Sequence, residues 1–130
     1  MGIRDFDSAV RELMRRDARY HRDAYHFVRE GLDYTQSRQG GVQRPGRDEE
    51  SHVSAAELLE GIRSYALLQY GPMAKFLLQE WGVFTCGDFG EIVFNMIRGG
   101  ILRKTDEDRL EDFQEGYDFY DAFAKPFLPH

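Results

Sequence analysis

Thr85-Cys86-Gly87-Asp88-Phe89-Gly90-Glu91-Ile92-Val93-Phe94-Asn95-Met96-Ile97-Arg98-Gly99-Gly100-Ile101-Leu102 is the stretch whose reading decides the fold. Thr85 and Asp88 stand three apart, as a capping box requires, with Asp in the place usually held by Glu. Phe89, Ile92, Val93, Met96 and Ile97 then recur at three- and four-residue steps, which puts them on one face of a helix. Gly99-Gly100 stops that helix. Beyond it, Ile101–Thr105 and Leu110–Phe119 flank the acidic Asp106-Glu107-Asp108. The pattern fits two short strands joined by a charged turn, although the second segment reads equally well as helical.

Working outward, Gly71-Pro72 ends one helix and opens the next, whose lining is expected from Met73, Phe76, Leu77 and Trp81 up to a stop at Gly82. Before it, Ser54-Ala55-Ala56-Glu57 is the clearest start signal in the chain, a capping box with Val53 and Leu58 at the flanking staple positions. Leu58, Leu59, Ile62, Tyr65, Ala66 and Tyr70 follow as the buried stripe. Gln36–Glu50 has Gly, Pro and Arg but almost no apolar residue, so a mobile loop is expected there. Two helices precede it, one starting near Asp7 or Ser8 and one over His21–Thr35, and Gly31 weakens the second by roughly 1 kcal/mol relative to Ala. The tail, Tyr120–His130, is expected to pack in irregular form. The expectation is a single domain over 1–130: an N-terminal helical pair (1–35), a mobile loop (36–50), and a core with its tail (51–130). Its class is mainly α with a small antiparallel β-hairpin, that is, α+β.

Three short helices running through Gly99-Gly100 into Ile101-Leu102 resemble a winged helix-turn-helix domain, here preceded by the two N-terminal helices. A longer set of motifs, Glu57-Leu-Leu-Glu-Gly-Ile-Arg63, Asp88-Phe-Gly-Glu-Ile-Val-Phe-Asn95 and Glu115-Gly-Tyr-Asp-Phe119, is similar to a small uncharacterised family reported mainly from planctomycetes and verrucomicrobia. Arg19-Tyr20 and Ala24-Tyr25-His26-Phe27-Val28 fit the N-terminal part of that family, so the resemblance spans most of the chain. It implies no activity, and no catalytic or ligand residue follows from it.

The 130 residues are 42% hydrophobic and 31% charged, ordinary for a chain that folds around its own core. The net charge of −6 is uneven: residues 1–50 hold ten Arg against ten acids, and residues 51–130 seven cations against thirteen acids. Thr105–Asp121 alone has eight acids and only Arg109. Such a field repels a duplex or an anionic bilayer, since binding either depends on meeting phosphates with Lys and Arg. Sequence-specific DNA binding is therefore not expected. Arg11, Arg15, Arg16, Arg19 and Arg22 form the one basic patch that keeps a nucleic-acid-associated regulator as the alternative. No apolar run approaches the roughly 20 residues that cross a bilayer, and the charged start Met1-Gly-Ile-Arg-Asp-Phe6 does not read as a secretion signal. A cytoplasmic location without membrane association is expected.

No chemistry-bearing motif stands out. Cys86 is the single cysteine, at a helix N-terminus where the dipole could lower a thiol pKa, with no histidine near it in sequence. His21, His26 and His52 are the histidines a metal site could draw on, yet His21 and His26 are five apart and do not share a helix face. Asp106-Glu107-Asp108 opens like a calcium loop, but Leu110 and Glu111 stand where a ligand and a Gly belong. No enzyme activity, cofactor or metal is expected; an enzyme whose site cannot be recognised in the sequence is the third reading. The leading expectation is a non-catalytic interaction module or adaptor with a protein partner. Its surface is sought in Phe94, Asn95 and Arg98 on the outward side of the fifth helix, and in Tyr117 and Phe119 among the crowded aromatics of the tail.

Overall fold

A computed structural model describes residues 5–40, 53–102 and 109–129. Among these residues lie five α-helices: α1 (Phe6–Arg16), α2 (Arg22–Gly40), α3 (Ala55–Tyr70), α4 (Ala74–Glu80) and α5 (Cys86–Arg98). A 3-10 turn, Gly71–Met73, joins α3 to α4, and single helical turns follow α5 at Leu110–Phe113, Tyr120–Ala124 and Lys125–Phe127.

Among the described residues there is no strand, which corrects the α+β expectation and, with it, the winged-helix-like core. Ile101 and Leu102, expected to open a strand, instead curl back on α5, both backbone N–H groups donating to Met96 O at 2.9 and 3.3 Å. Residues 103–108, which hold the rest of the expected first strand and the acidic turn at 106–108, lie outside the described residues. Leu110–Phe113 is a 3-10 turn whose Phe113 ring stands edge-on to Phe94 of α5, centroids 6.4 Å apart. The physical reason is in the spacing. Leu110 and Phe113 are three apart, which serves a helical turn with Phe113 against α5 rather than a strand that alternates every second residue.

Both capping boxes form: Ser54 Oγ accepts from Glu57 N and Glu57 reaches back, and Thr85 and Asp88 do the same on α5. α1 starts earlier than expected, because Asp5 rather than Asp7 or Ser8 is the cap, its carboxylate accepting from Asp7 N at 3.1 Å. α2 continues through Gly40, so residues 36–40 of the expected loop are helical, while 41–50 are outside the described residues.

The most extensive packing is between α2 and α3. Gly61 makes it possible: a Cβ there would sit 1.8 Å from Thr35 Oγ1. Thr35, buried at that crossing, satisfies its hydroxyl by donating to Gly31 O at 2.7 Å. At the centre, Phe27 of α2 meets the rings of Tyr65 (5.6 Å), Tyr70 (5.8 Å), Trp81 (5.9 Å) and Phe89 (6.4 Å), joining α3, the end of α4, and α5.

α4 faces differently from the expectation. Ala74 and Leu78 are its fully buried residues, while Met73 and Phe76 point outward and Trp81 is half-buried on Phe27 and Tyr70. Hydrophobicity ranks Met73 and Phe76 above Ala74. A methyl group, however, is what lets this two-turn helix lie against α3 and the Tyr120–Ala124 turn, and packing decided the register.

Candidate functional site

The polar residues of the molecule converge where the α1–α2 turn meets α5. Asp17 ends α1 in extended conformation (φ −142°, ψ 103°) and folds its carboxylate back over the turn. It accepts from Arg19 N at 3.1 Å, from Arg19 Nε at 2.9 Å and from Arg19 Nη2 at 2.7 Å. Arg19 Nη2 also donates to Glu91 at 3.3 Å, and Tyr20 OH donates to Asp88 Oδ1 at 2.6 Å. Asn95 Nδ2 donates to Asp17 Oδ2 and to Tyr25 OH, each at 3.1 Å, while Asn95 Oδ1 accepts from Arg98 Nη1 at 2.8 Å. Asp88, Glu91, Asn95 and Arg98 therefore form a polar stripe at three- and four-residue steps along α5, with the α1–α2 turn bound to its first three residues. The turn is also held from behind: His21 N donates to Trp81 O at 3.0 Å, and Gly82 (φ 91°) lies so close to Arg19 O that a Cβ would be 2.2 Å from it.

Leu13, Arg16, Asp17, Arg19, Glu91, Asn95 and Arg98 line an open cleft of about 460 Å³ at this junction. Its two carboxylates are tied to Arg19. The Arg19 guanidinium, with help from Asn95, keeps the Asp17 carboxyl well below the usual carboxylate range against the opposing effect of burial. The same pairing holds Arg19 more firmly protonated than a free arginine. Burial, reinforced by the hydrogen bond to Asp88, pushes the Tyr20 phenol far above its ordinary value. Burial also raises Tyr25. A general acid or base works best near the ambient pH, and these shifts run the other way: the carboxylate is kept charged and the phenols neutral.

The remaining sequence candidates are dispersed. Cys86 is buried, donates to Tyr117 O at 3.4 Å, and burial raises its thiol to about 11. Desolvation thus outweighs the helix N-terminus, and no reactive thiolate forms. His21 Nδ1 accepts from Asp23 N at 3.0 Å, whereas His26 Nε2 lies 2.8 Å from Asp7 with its ring edge-on to Phe6. Among the described residues no group of three or more His, Cys, Asp or Glu could hold a metal, and His52 is outside them. The N-terminal arginines are interleaved with partners on their own elements. Arg11 donates to Ser8, Arg15 and Arg16 pair with Glu12, and Arg22 pairs with Asp23.

The five residues picked from the sequence as an interaction surface are not exposed together. Phe94, Asn95 and Phe119 are buried, at 9%, 7% and 5% exposure. Tyr117 is partly buried, its hydroxyl donating to Leu59 O at 2.8 Å, and only Arg98 is exposed. Phe94 departs from the apolar stripe because α5 is covered on a second side, by Phe113. Phe119, Phe123 and Tyr117 plug the tail onto the core, with Phe119–Phe123 and Phe89–Phe119 centroids 5.0 and 5.6 Å apart.

Exposed apolar surface appears elsewhere. Met73, Phe76, Tyr120, Phe127 and Leu128 each keep between 45% and 54% of their surface in solvent. They sit on the Gly71–Met73 turn, on α4, and on the tail that packs against both. Sequence reasoning missed Met73 and Phe76 because it assigned them to the core. The signal available for Phe127 and Leu128 was their position past the last buried aromatic, Phe123. Among the described residues no helix is long and apolar enough to cross a membrane. Comparison of the chain with protein-family models, with curated proteins and with solved structures gave no match.

Proposed function

We propose that this chain is a non-catalytic protein-interaction module, and that its contact face is the apolar region made by Met73 and Phe76 together with Tyr120, Phe127 and Leu128. The single observation that carries this reading is the half-exposure of Met73, Phe76 and Tyr120 on three elements in mutual contact, with Phe127 and Leu128 following on the turn that packs against the last of them. At roughly 100 Å² exposed per side chain the face comes to about 500 Å², the size at which an apolar patch on a monomer is often functional. Lys75 and Glu80 on α4, and Asp121 and Lys125 on the tail, are charged residues of the same elements.

The cleft supports the same reading by its lack of spare chemistry. Asp17, Arg19 and Glu91 are committed to one another, and the phenols beside them are held neutral. Nucleic-acid binding through the N-terminal arginines gains nothing from the geometry, since Glu12, Asp17 and Asp23 offset the charge within the same patch.

The experiment is cross-linking mass spectrometry on native lysate, using the wild-type chain and a Phe76→Ser/Phe127→Ser variant as baits. Cross-links at Lys75 and Lys125 that the variant loses are expected. If every captured protein binds both baits equally, the face is not the contact surface and the reading fails.

A further inference from the structure

We infer that the cleft between α1, the α1–α2 turn and α5 binds a small organic oxyanion, a carboxylate or phosphate held by Arg98 and Arg16 with its carbon body against Leu13. The inference does not depend on the apolar face proposed above. Binding needs no group poised near the ambient pH, as acid–base catalysis does. The lining brings three guanidiniums and two carboxylates together. Arg19 takes both acids, Asp17 at 2.7 Å and Glu91 at 3.3 Å, so the lining offers Arg16 and Arg98 no counter-charge. Arg16 reaches Glu12 through Nε at 3.6 Å and shares that carboxylate with Arg15. Arg98 has no ion pair among the described residues. What sets these two cations apart from other surface charges is that they line one concavity. Both stand in the last turns of their helices, where the dipole keeps a cation in place without an acid beside it.

The aim of Arg98 is the second observation. Asn95 is buried, is held by its own bonds to Asp17 and Tyr25, and accepts from Nη1 of Arg98 at 2.8 Å. Nη1 is the nitrogen on the Cδ side of the guanidinium, so its use leaves the Nε–Nη2 edge without a partner among the described residues. The two parallel N–H groups of that edge match two oxygens of a carboxylate or phosphate. A guanidinium already anchored at its other end loses less freedom on binding. Leu13 gives the cleft an apolar wall, and its volume of about 460 Å³ is that of a small-molecule site.

NMR titration at constant ionic strength tests this, with phenyl phosphate, benzoate and inorganic phosphate as probes and chloride as the control. Saturable shifts at the Arg98 Nε–H and the Leu13 methyl groups are expected with phenyl phosphate or benzoate, at a Kd of roughly 1 mM or tighter. Whichever of the two binds more tightly identifies the oxyanion. Inorganic phosphate, which has no carbon body to lay on Leu13, is expected to bind at least threefold more weakly than phenyl phosphate. Arg98→Gln is expected to weaken binding at least tenfold and Arg16→Gln at least threefold, with the helical circular dichroism unchanged. Arg98→Lys keeps the charge but not the paired N–H edge, and is expected to lose nearly as much as Arg98→Gln. Shifts that climb linearly to about 50 mM, or that chloride reproduces, overturn the inference. Saturable binding that Arg98→Gln or Arg98→Lys leaves intact overturns it as well.

Discussion

Asn95→Ala is the substitution that most directly probes the junction between the α1–α2 turn and α5. The amide makes three bonds of unequal worth. Its bond from Arg98 ends on an exposed guanidinium that water can satisfy, so its loss costs little. Its bond to Asp17 leaves a carboxylate still held by Arg19, worth about 0.5 kcal/mol. The third partner, Tyr25, is fully buried, so its hydroxyl loses the Asn95 donor with no route to water, a penalty of about 1–3 kcal/mol. Removing most of a buried side chain adds roughly 1 kcal/mol for the space left behind. The total is about 2.5–4.5 kcal/mol, or a fall in Tm of roughly 9–17 °C for a domain of this size. Urea unfolding measures it, and a cycle with Tyr25→Phe separates the terms. With the hydroxyl gone, Asn95→Ala should cost about 1 kcal/mol less, because no buried oxygen remains to be orphaned. An Asn95→Ala variant within 0.5 kcal/mol of wild type, or a strictly additive cycle, would refute the account of this junction.

Four further expectations follow from the packing and the shifted groups. Gly61→Ala should destabilise by about 2 kcal/mol in thermal melts, because the clash with Thr35 outweighs the roughly 1 kcal/mol gained in helix propensity; a neutral result would mean that α2 and α3 separate freely. Leu78→Ala should cost about 2–4 kcal/mol and Phe76→Ala under 0.5 kcal/mol in denaturant titrations, and the reverse order would show α4 turned the other way. The Asp17 carboxyl titrates lower in the folded chain than in the unfolded one, so it adds stability above about pH 4 that fades as the pH falls further. The gap in melting temperature between wild type and Asp17→Asn should therefore narrow between pH 5 and pH 3, and a constant gap would argue against the pairing with Arg19. Cys86, with its thiol raised to about 11, should react with iodoacetamide at pH 8 at least a hundredfold more slowly in the native protein than in urea, and comparable rates would place it at the surface.

What could be read from the sequence was local. The Ser54–Glu57 and Thr85–Asp88 boxes, the Gly71-Pro72 junction and the Phe89–Met96 stripe all depend on contacts within one or two helical turns, and each is present in the fold. The failures came wherever one element is defined by another. Leu110, Phe113 and Tyr117 looked like a possible strand until α5 supplied a surface to coil against. Ala74 looked negligible beside Met73 and Phe76 until the tail covered α4. Gly31 looked like a flaw in its helix, yet a Cβ there would come within 3.0 Å of Ile62, and one at Gly61 across the same crossing would overlap Thr35.

The same rule explains why the expected surface moved. Asp88, Glu91, Asn95 and Arg98 have the composition of a solvent-facing stripe, and a helix read alone offers no other use for them. A turn that ends one helix at Asp17 and restarts at Arg22 presents its own unpaired backbone and charged side chains. Matching the two ties both sets together as pairs, leaving Arg98 without an ion pair among the described residues. Polar residues that looked available for recognition are thus used to fix α1 and α2 against α5. Phe76 and Met73, which looked reserved for the core, are left outside.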